Sequence, residues 1–125
     1  MDTKPLALII EDNDDQNIVF TTALERAGYQ AESFLDGSLA QERLASVIPE
    51  MVILDLHIPG VNGNTILRNI RSDHRFRNTR VILVTADAAL ASALQPQADL
   101  VLLKPISFTQ LMQLSERYLS RPKRL

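Results

Sequence analysis

The sequence predicts an open α/β domain in which a parallel, doubly wound sheet is covered by helices on both faces. Three observations lead there. Four short apolar runs stand out, "LALII" (6–10), "MVIL" (51–54), "VILV" (81–84) and "LVLL" (100–103), and unbroken apolar character is what a strand needs when both of its faces are covered. The segments between these runs carry apolar residues at helical spacing. Strand and helix patterns alternate five times along the chain, which implies right-handed crossovers with helices on either side of one sheet.

Taken in order, "LALII" is the first strand and a helix follows over 14–27. There Ile18, Val19, Thr22, Ala23 and Arg26 fall at i, i+1, i+4, i+5 and i+8, Asp14 or Asp15 supplies the N-cap, and Gly28 stops the helix. "QAESF" (30–34) alternates rather than runs, which marks a strand at the sheet edge. Leu39, Leu44 and Val47 then space a helix of about ten residues that ends at Pro49, because a residue ahead of proline is steered away from helical angles. After "MVIL", a helix from about Asn64 to Asp73 buries Ile66, Leu67 and Ile70. After "VILV" comes a short alanine-rich helix, about Asp87 to Leu94, that stops near Pro96. A last helix, Ser107 to about Leu119, carries Leu111, Leu114 and Tyr118.

At 125 residues the chain has room for one domain of ordinary size, expected to span 1–125 with its core at about 6–120. With 46% hydrophobic and 22% charged residues, it has the composition of a packed globular domain rather than a disordered one. A net charge of -2 gives no electrostatic case for nucleic acid or an anionic membrane, so neither is expected as a direct partner. The basic ending "RPKRL", 121–125, reads as a solvated tail or linker stump. The absence of cysteine excludes disulfides, thiolate metal sites and cysteine nucleophiles. No apolar stretch approaches the ~18 residues of a membrane helix, and "MDTKPLALII" lacks the layout of a signal peptide, so a cytoplasmic location is the default. The four glycines, at 28, 37, 60 and 63, form neither a P-loop nor a dinucleotide fingerprint, which argues against a nucleotide-binding enzyme.

In sheets of this kind a ligand sits outside the carboxyl ends of the strands, so the residues that follow each apolar run are informative. The runs are followed by Glu11 and Asp12, by Asp55, by Thr85 and by Lys104. Taken alone, each has an ordinary role: an aspartate after a strand caps a helix, a threonine bonds locally, a lysine is solvated. Together they bring three carboxylates to one edge, where mutual repulsion raises their pKa values unless a cation lies among them. A divalent, oxygen-ligated cation meets that need. Mg2+ suits a few carboxylates with open positions for water and phosphate, whereas a calcium loop supplies more ligands in sequence. Lys104 is a compact charge for a phosphoryl oxygen and Thr85 a hydroxyl for another. Asp55 among these groups is placed to act as a nucleophile forming an aspartyl phosphate, with metal and lysine offsetting the transferred charge.

"LIIEDND", "VILDLHIPGVNG", "VILVTAD" and "LVLLKPI" resemble, in order and spacing, the acidic pair, phosphoacceptor loop, switch hydroxyl and Lys-Pro of the response-regulator receiver domain, over roughly residues 6–120. The resemblance implies a flavodoxin-like fold, five parallel strands in the order 2-1-3-4-5 with five helices. It implies that a histidine kinase or phosphotransfer protein phosphorylates Asp55 in a Mg2+-dependent reaction, and that the domain is a phosphoacceptor rather than an enzyme acting on other substrates. Asp12 is then a direct metal ligand, Glu11 assists through water, and the backbone carbonyl of His57 is a further ligand. Lys104 pairs with Asp55 and later with the phosphoryl group, Thr85 turns inward to bond it, Ala86 leaves room, and the bond before Pro105 is cis. The His57 side chain is expected to be exposed, and His74 to have no chemical role.

Two departures bear on signalling. Val101 stands three residues before the lysine, where the family carries a Tyr or Phe whose ring moves with the switch hydroxyl. Only eighteen residues separate Thr85 from Lys104, and from Ala88 to Leu103 the sole charged residue is Asp99. Helix 87–94 and strand 100–103 therefore either present a neutral face for a partner or a second copy, or simply pack inward. The competing function is a degenerate receiver serving as a constitutive interaction scaffold. A metal-dependent phosphatase would need a further general acid or base, which no residue obviously supplies.

Overall fold

The computed structural model describes residues 3–119. Five parallel strands, β1 (Leu6–Ile10), β2 (Gln30–Phe34), β3 (Met51–Asp55), β4 (Arg80–Thr85) and β5 (Leu100–Leu103), form one sheet in the order β2-β1-β3-β4-β5. Between and after them run α1 (Asp14–Arg26), α2 (Gly37–Leu44), α3 (Gly63–Ser72), α4 (Ala88–Leu94) and α5 (Phe108–Leu119). Single 3-10 turns follow α3 and α4. The architecture and strand order agree with the expected doubly wound fold.

Alternate side chains of each inner strand feed two separate cores, as the two-residue period of a strand requires. Leu8, Ile10, Val52, Leu54, Val81 and Leu83 point to one side and pack with Leu44, Ile66, Leu67 and Ile70 of α2 and α3. Ala7, Ile9, Met51, Ile53, Ile82 and Val84 point to the other and pack with Phe20 and Leu24 of α1 and Leu111 of α5. All five residues of β3, including Asp55, are buried. The outer strands differ: β2 is half-covered as its alternation predicts, and β5 is the opposite edge. Leu103 is 51% exposed, so the "LVLL" run is not covered on both faces throughout. An apolar run signals a strand, while its place at the edge follows from strand order.

Helix α1 is rotated from the predicted face. Its buried residues are Asn17, Phe20, Ala23 and Leu24, while Ile18 is 64% exposed and Val19 37%. Phe20, Ala23, Leu24 and Ala27 make the inward stripe at i, i+3, i+4 and i+7, and Asn17 lies on the same side. Its side-chain amide donates to the carbonyls of Glu11 (2.9 Å) and Phe34 (3.1 Å), so a polar residue occupies the inward stripe. The N-cap is Asn13, accepting from the Gln16 N–H at 2.9 Å, rather than Asp14 or Asp15, which lie in the first turn where the helix dipole favours acids. Gly28 ends this helix with φ at 109°, a left-handed angle that glycine adopts without cost.

Helix α2 is shorter than expected, ending at Leu44 rather than near Pro49, and Leu39 lies on its exposed side while Ala40 and Leu44 are buried. Helix α3 buries Ile66, Leu67 and Ile70 as predicted. Helix α4 starts after its N-cap Asp87 and gives way to a 3-10 turn at Gln95–Gln97 that holds Pro96. Leu111 of α5 is buried, and Leu114 and Tyr118 half-buried. The tail at 121–125 lies outside the described residues.

Candidate functional site

The carboxyl ends of β1, β3 and β5 converge because these strands are parallel and share one sheet edge. Glu11 and Asp12 follow β1, Asp55 closes β3, and Lys104 follows β5. One carboxylate oxygen from each of Glu11, Asp12 and Asp55 lies within 4.8 Å of the others. The Lys104 ammonium bridges two of them, donating to Glu11 Oε1 at 2.7 Å and Asp55 Oδ2 at 2.8 Å. The second oxygen of Glu11 accepts from the Asn13 N–H at 3.1 Å, and Asp55 Oδ1 accepts from the His57 N–H at 3.1 Å. Glu11 and Asp55 are buried and Asp12 is exposed, so the cluster is walled by protein and open on one side.

Among the described residues, three carboxylates converge around the Lys104 ammonium. The Glu11 carboxyl is held above its ordinary range, chiefly by burial with the charge of Asp55 adding to the rise, against the bonds from Lys104 and the Asn13 N–H that pull it down. Burial works against the charged form of Lys104, yet its bonds to Asp55 and Glu11 prevail and hold it above the usual lysine value. Converging carboxylate oxygens in excess of positive charge are a donor set that fits a hard divalent cation.

The loops that hold these groups are tightly seated. The Gly63 N–H donates to the Leu56 carbonyl at 3.1 Å, and a Cβ at Gly63 would stand 2.6 Å from the Leu56 Cα and against the Asp55 carbonyl. A glycine at the start of α3 therefore lets the helix approach the Asp55 loop. The Lys104 N–H donates to the Thr85 carbonyl at 2.8 Å, fixing the ends of β4 and β5 in register. The peptide bond joining Lys104 to Pro105 is cis.

Thr85 is fully buried, and its hydroxyl accepts from the Asp87 N–H at 3.1 Å. Ala86 beside it is exposed. Val101 is half-buried against the core on the α2–α3 side. On α4, Ala91 and Leu94 pack inward while Ala88, Ala89, Ser92 and Ala93 are exposed, so the uncharged stretch is divided between core and surface. His74 is exposed.

Sequence reasoning missed two features. The His57 side chain is exposed as expected, but its Nε2 lies 3.0 Å from Asp87 Oδ2. Thirty residues separate the partners, and no local pattern announces such a pair. The second is a cavity of about 200 Å³ beside Lys104, lined by Asp15, Gln16, Val19, Phe20, Pro105 and Ile106. Val19, turned outward on α1, forms part of its wall.

Residues 7–116 match the family model described as response regulator receiver domain. The chain is 29% identical over 122 residues to the phosphate regulon transcriptional regulatory protein PhoB of Rhizobium meliloti, covering 95% of this chain and 54% of that protein. It is also 29% identical over 111 residues to the sensor histidine kinase TmoS of Ectopseudomonas mendocina, covering 86% of this chain and 11% of the kinase. The chain thus spans about half the length of the first relative and a small part of the second. Among solved structures, the signal receiver domain of a LuxO repressor protein from Vibrio parahaemolyticus superposes with a TM-score of 0.84 at 27% identity, over 95% of this chain and 92% of that one. Since the family match begins in β1 and ends in α5, it takes in the whole alternating core, and the chain belongs to the response regulator receiver domain family of two-component signalling.

Proposed function

We propose that Asp55 accepts a phosphoryl group from a histidine kinase or phosphotransfer protein, and that the resulting aspartyl phosphate switches the domain's partner interactions. The observation that carries this is the Lys104 bridge: one ammonium spans a buried carboxylate nucleophile and its acidic neighbour at the mouth of a partly open pocket. A carboxylate oxygen of Asp55 attacks phosphorus as the donor's phosphorus–nitrogen bond breaks, and the imidazole leaves with the electron pair of that bond. Lys104 offsets charge on the phosphoryl oxygens, and the His57 N–H, now on Asp55 Oδ1, orients the carboxylate. The Thr85 hydroxyl would turn inward and donate to a phosphoryl oxygen, with Ala86 as the small neighbour. Glu11, Asp12, Asp55 and the His57 carbonyl would hold Mg2+, which when bound neutralises the charge of the transferring group. The apolar rim at Val19, Pro105 and Ile106 offers a donor protein a dry contact beside the acids.

Acetyl phosphate with Mg2+, read by intact mass, tests this directly. One phosphoryl adduct should form and should be lost in Asp55→Asn. No adduct, or one that persists in the variant, would refute the assignment.

Val101 favours a second function, a degenerate receiver that binds its partner constitutively, since a valine cannot carry a ring between two environments. Under that alternative, partner or self-association is unchanged by a phosphoryl mimic. The exposed neutral side of α4 with Leu103 is the surface through which a homodimer would form. Sedimentation as a strict monomer with and without the mimic would rule the dimer out.

A further inference from the structure

We infer that Asp87 couples the acceptor site to helix α4 through hydrogen bonds, in place of the aromatic ring that Val101 lacks; the inference rests on Asp55 being the phosphoacceptor. Three contacts meet at this one residue. Its backbone N–H donates to the Thr85 hydroxyl at 3.1 Å. Its Oδ1 accepts from the Leu90 N–H at 3.0 Å and so caps α4. Its Oδ2 meets His57 Nε2 at 3.0 Å, and His57 sits in the loop whose backbone N–H holds Asp55. The cap and the His57 contact together keep the Asp87 carboxyl below the ordinary range, the cap contributing more.

The consequence follows from geometry. Among the described residues, the Thr85 hydroxyl makes this single hydrogen bond, to the Asp87 N–H. Turning the threonine to another staggered rotamer moves its oxygen by about 2 Å, which breaks a bond already 3.1 Å long. Asp87 then loses the acceptor of its N–H and keeps on its backbone the Ala91 N–H that its carbonyl accepts at 3.0 Å, so the residue pivots toward α4 and the carboxylate that caps α4 and holds His57 moves with it. Helix α4 is only seven residues long, so loss of its cap touches the whole element. The helix that presents Ala88, Ala89, Ser92 and Ala93 to solvent is thus tied to the hydroxyl that reads Asp55. Val101 needs no part in this path.

The test uses the full chain, isotope-labelled, with Mg2+ and beryllofluoride as the phosphoryl mimic. Fluorine NMR reports capture of the mimic, and amide shifts and exchange report on α4. In the unaltered chain, mimic capture should shift the α4 amides and speed exchange at Leu90 about fivefold, the effect of losing an ordinary N-cap. Asp87→Ala should capture the mimic, show fast exchange at Leu90 in both states, and lose the response. His57→Ala, which leaves the cap intact, should shrink the response and decides the matter if Asp87→Ala does not fold. A full-size α4 response in these variants would overturn the coupling while leaving the phosphoacceptor function standing. Failure of the unaltered chain to capture the mimic would overturn both.

Discussion

Replacing Lys104 with methionine removes the one ammonium that faces three carboxylates, and the structure sets the size of the effect. The lysine donates at 2.7 Å to Glu11 and at 2.8 Å to Asp55, whose side chains are 0% and 7% exposed. Removing one member of a buried ion pair costs roughly 3–5 kcal/mol, because the partner is left charged and unsolvated. Two features favour the lower end. Lys104 keeps 18% side-chain exposure, and Glu11, already held above its ordinary range, can take up a proton rather than remain an unpaired anion. The expected loss is therefore about 3 kcal/mol, or a fall in Tm of roughly 10 °C for a domain of this length. Urea unfolding followed by far-UV circular dichroism measures it, first with chelator and then with Mg2+. Because the cation supplies the missing positive charge, Mg2+ should stabilise Lys104→Met more than the unaltered chain. A variant as stable as the parent in chelator, or one indifferent to Mg2+, would show that the lysine does not neutralise this cluster.

Three further perturbations follow from the same geometry. Asn17→Ala deletes the side-chain bonds to the Glu11 and Phe34 carbonyls and should cost about 2 kcal/mol in urea unfolding. Gly63→Ala drives a methyl against the backbone of Asp55 and Leu56, so it should lose roughly 1–3 kcal/mol and move the Asp55 amide in NMR spectra. Glu32 is held below the ordinary glutamate range, chiefly by its hydrogen bonds to Arg43. A depressed folded pKa contributes stability above the unfolded value and loses it as pH falls through the folded one. The Tm gap between the parent and Glu32→Gln should therefore be present at neutral pH and close on acidification; a gap constant with pH would contradict this.

The inner strands were legible because parallel strands covered on both faces must be apolar without interruption, and the acids, hydroxyl and lysine stood out because each interrupts such a run at its carboxyl end. Helix α3 was legible for a similar reason, since Ile66, Leu67 and Ile70 are its buried face in sequence and in space. Their convergence on one edge followed from parallel direction alone.

Tertiary structure decided what depends on neighbours distant along the chain. Helix α1 packs Phe20, Ala23 and Leu24 inward against the sheet, and Asn17 on the same side adds bonds to the carbonyls of Glu11 and Phe34, the latter shared with the Glu11 N–H, so Ile18 and Val19 lie at the surface. Leu103 is exposed while Leu102 beside it in the same edge strand is buried, because successive side chains point to opposite faces and only the Leu102 face is covered there. The pairing of His57 with Asp87 needed two loops, thirty residues apart, to meet across the sheet edge. Residue type and period determine that a segment is a strand or helix, because those choices are settled by contacts within a few residues. Which distant partners its polar groups meet, and how far its apolar side chains end up covered, is settled by packing and hydrogen bonding between segments that are remote in sequence.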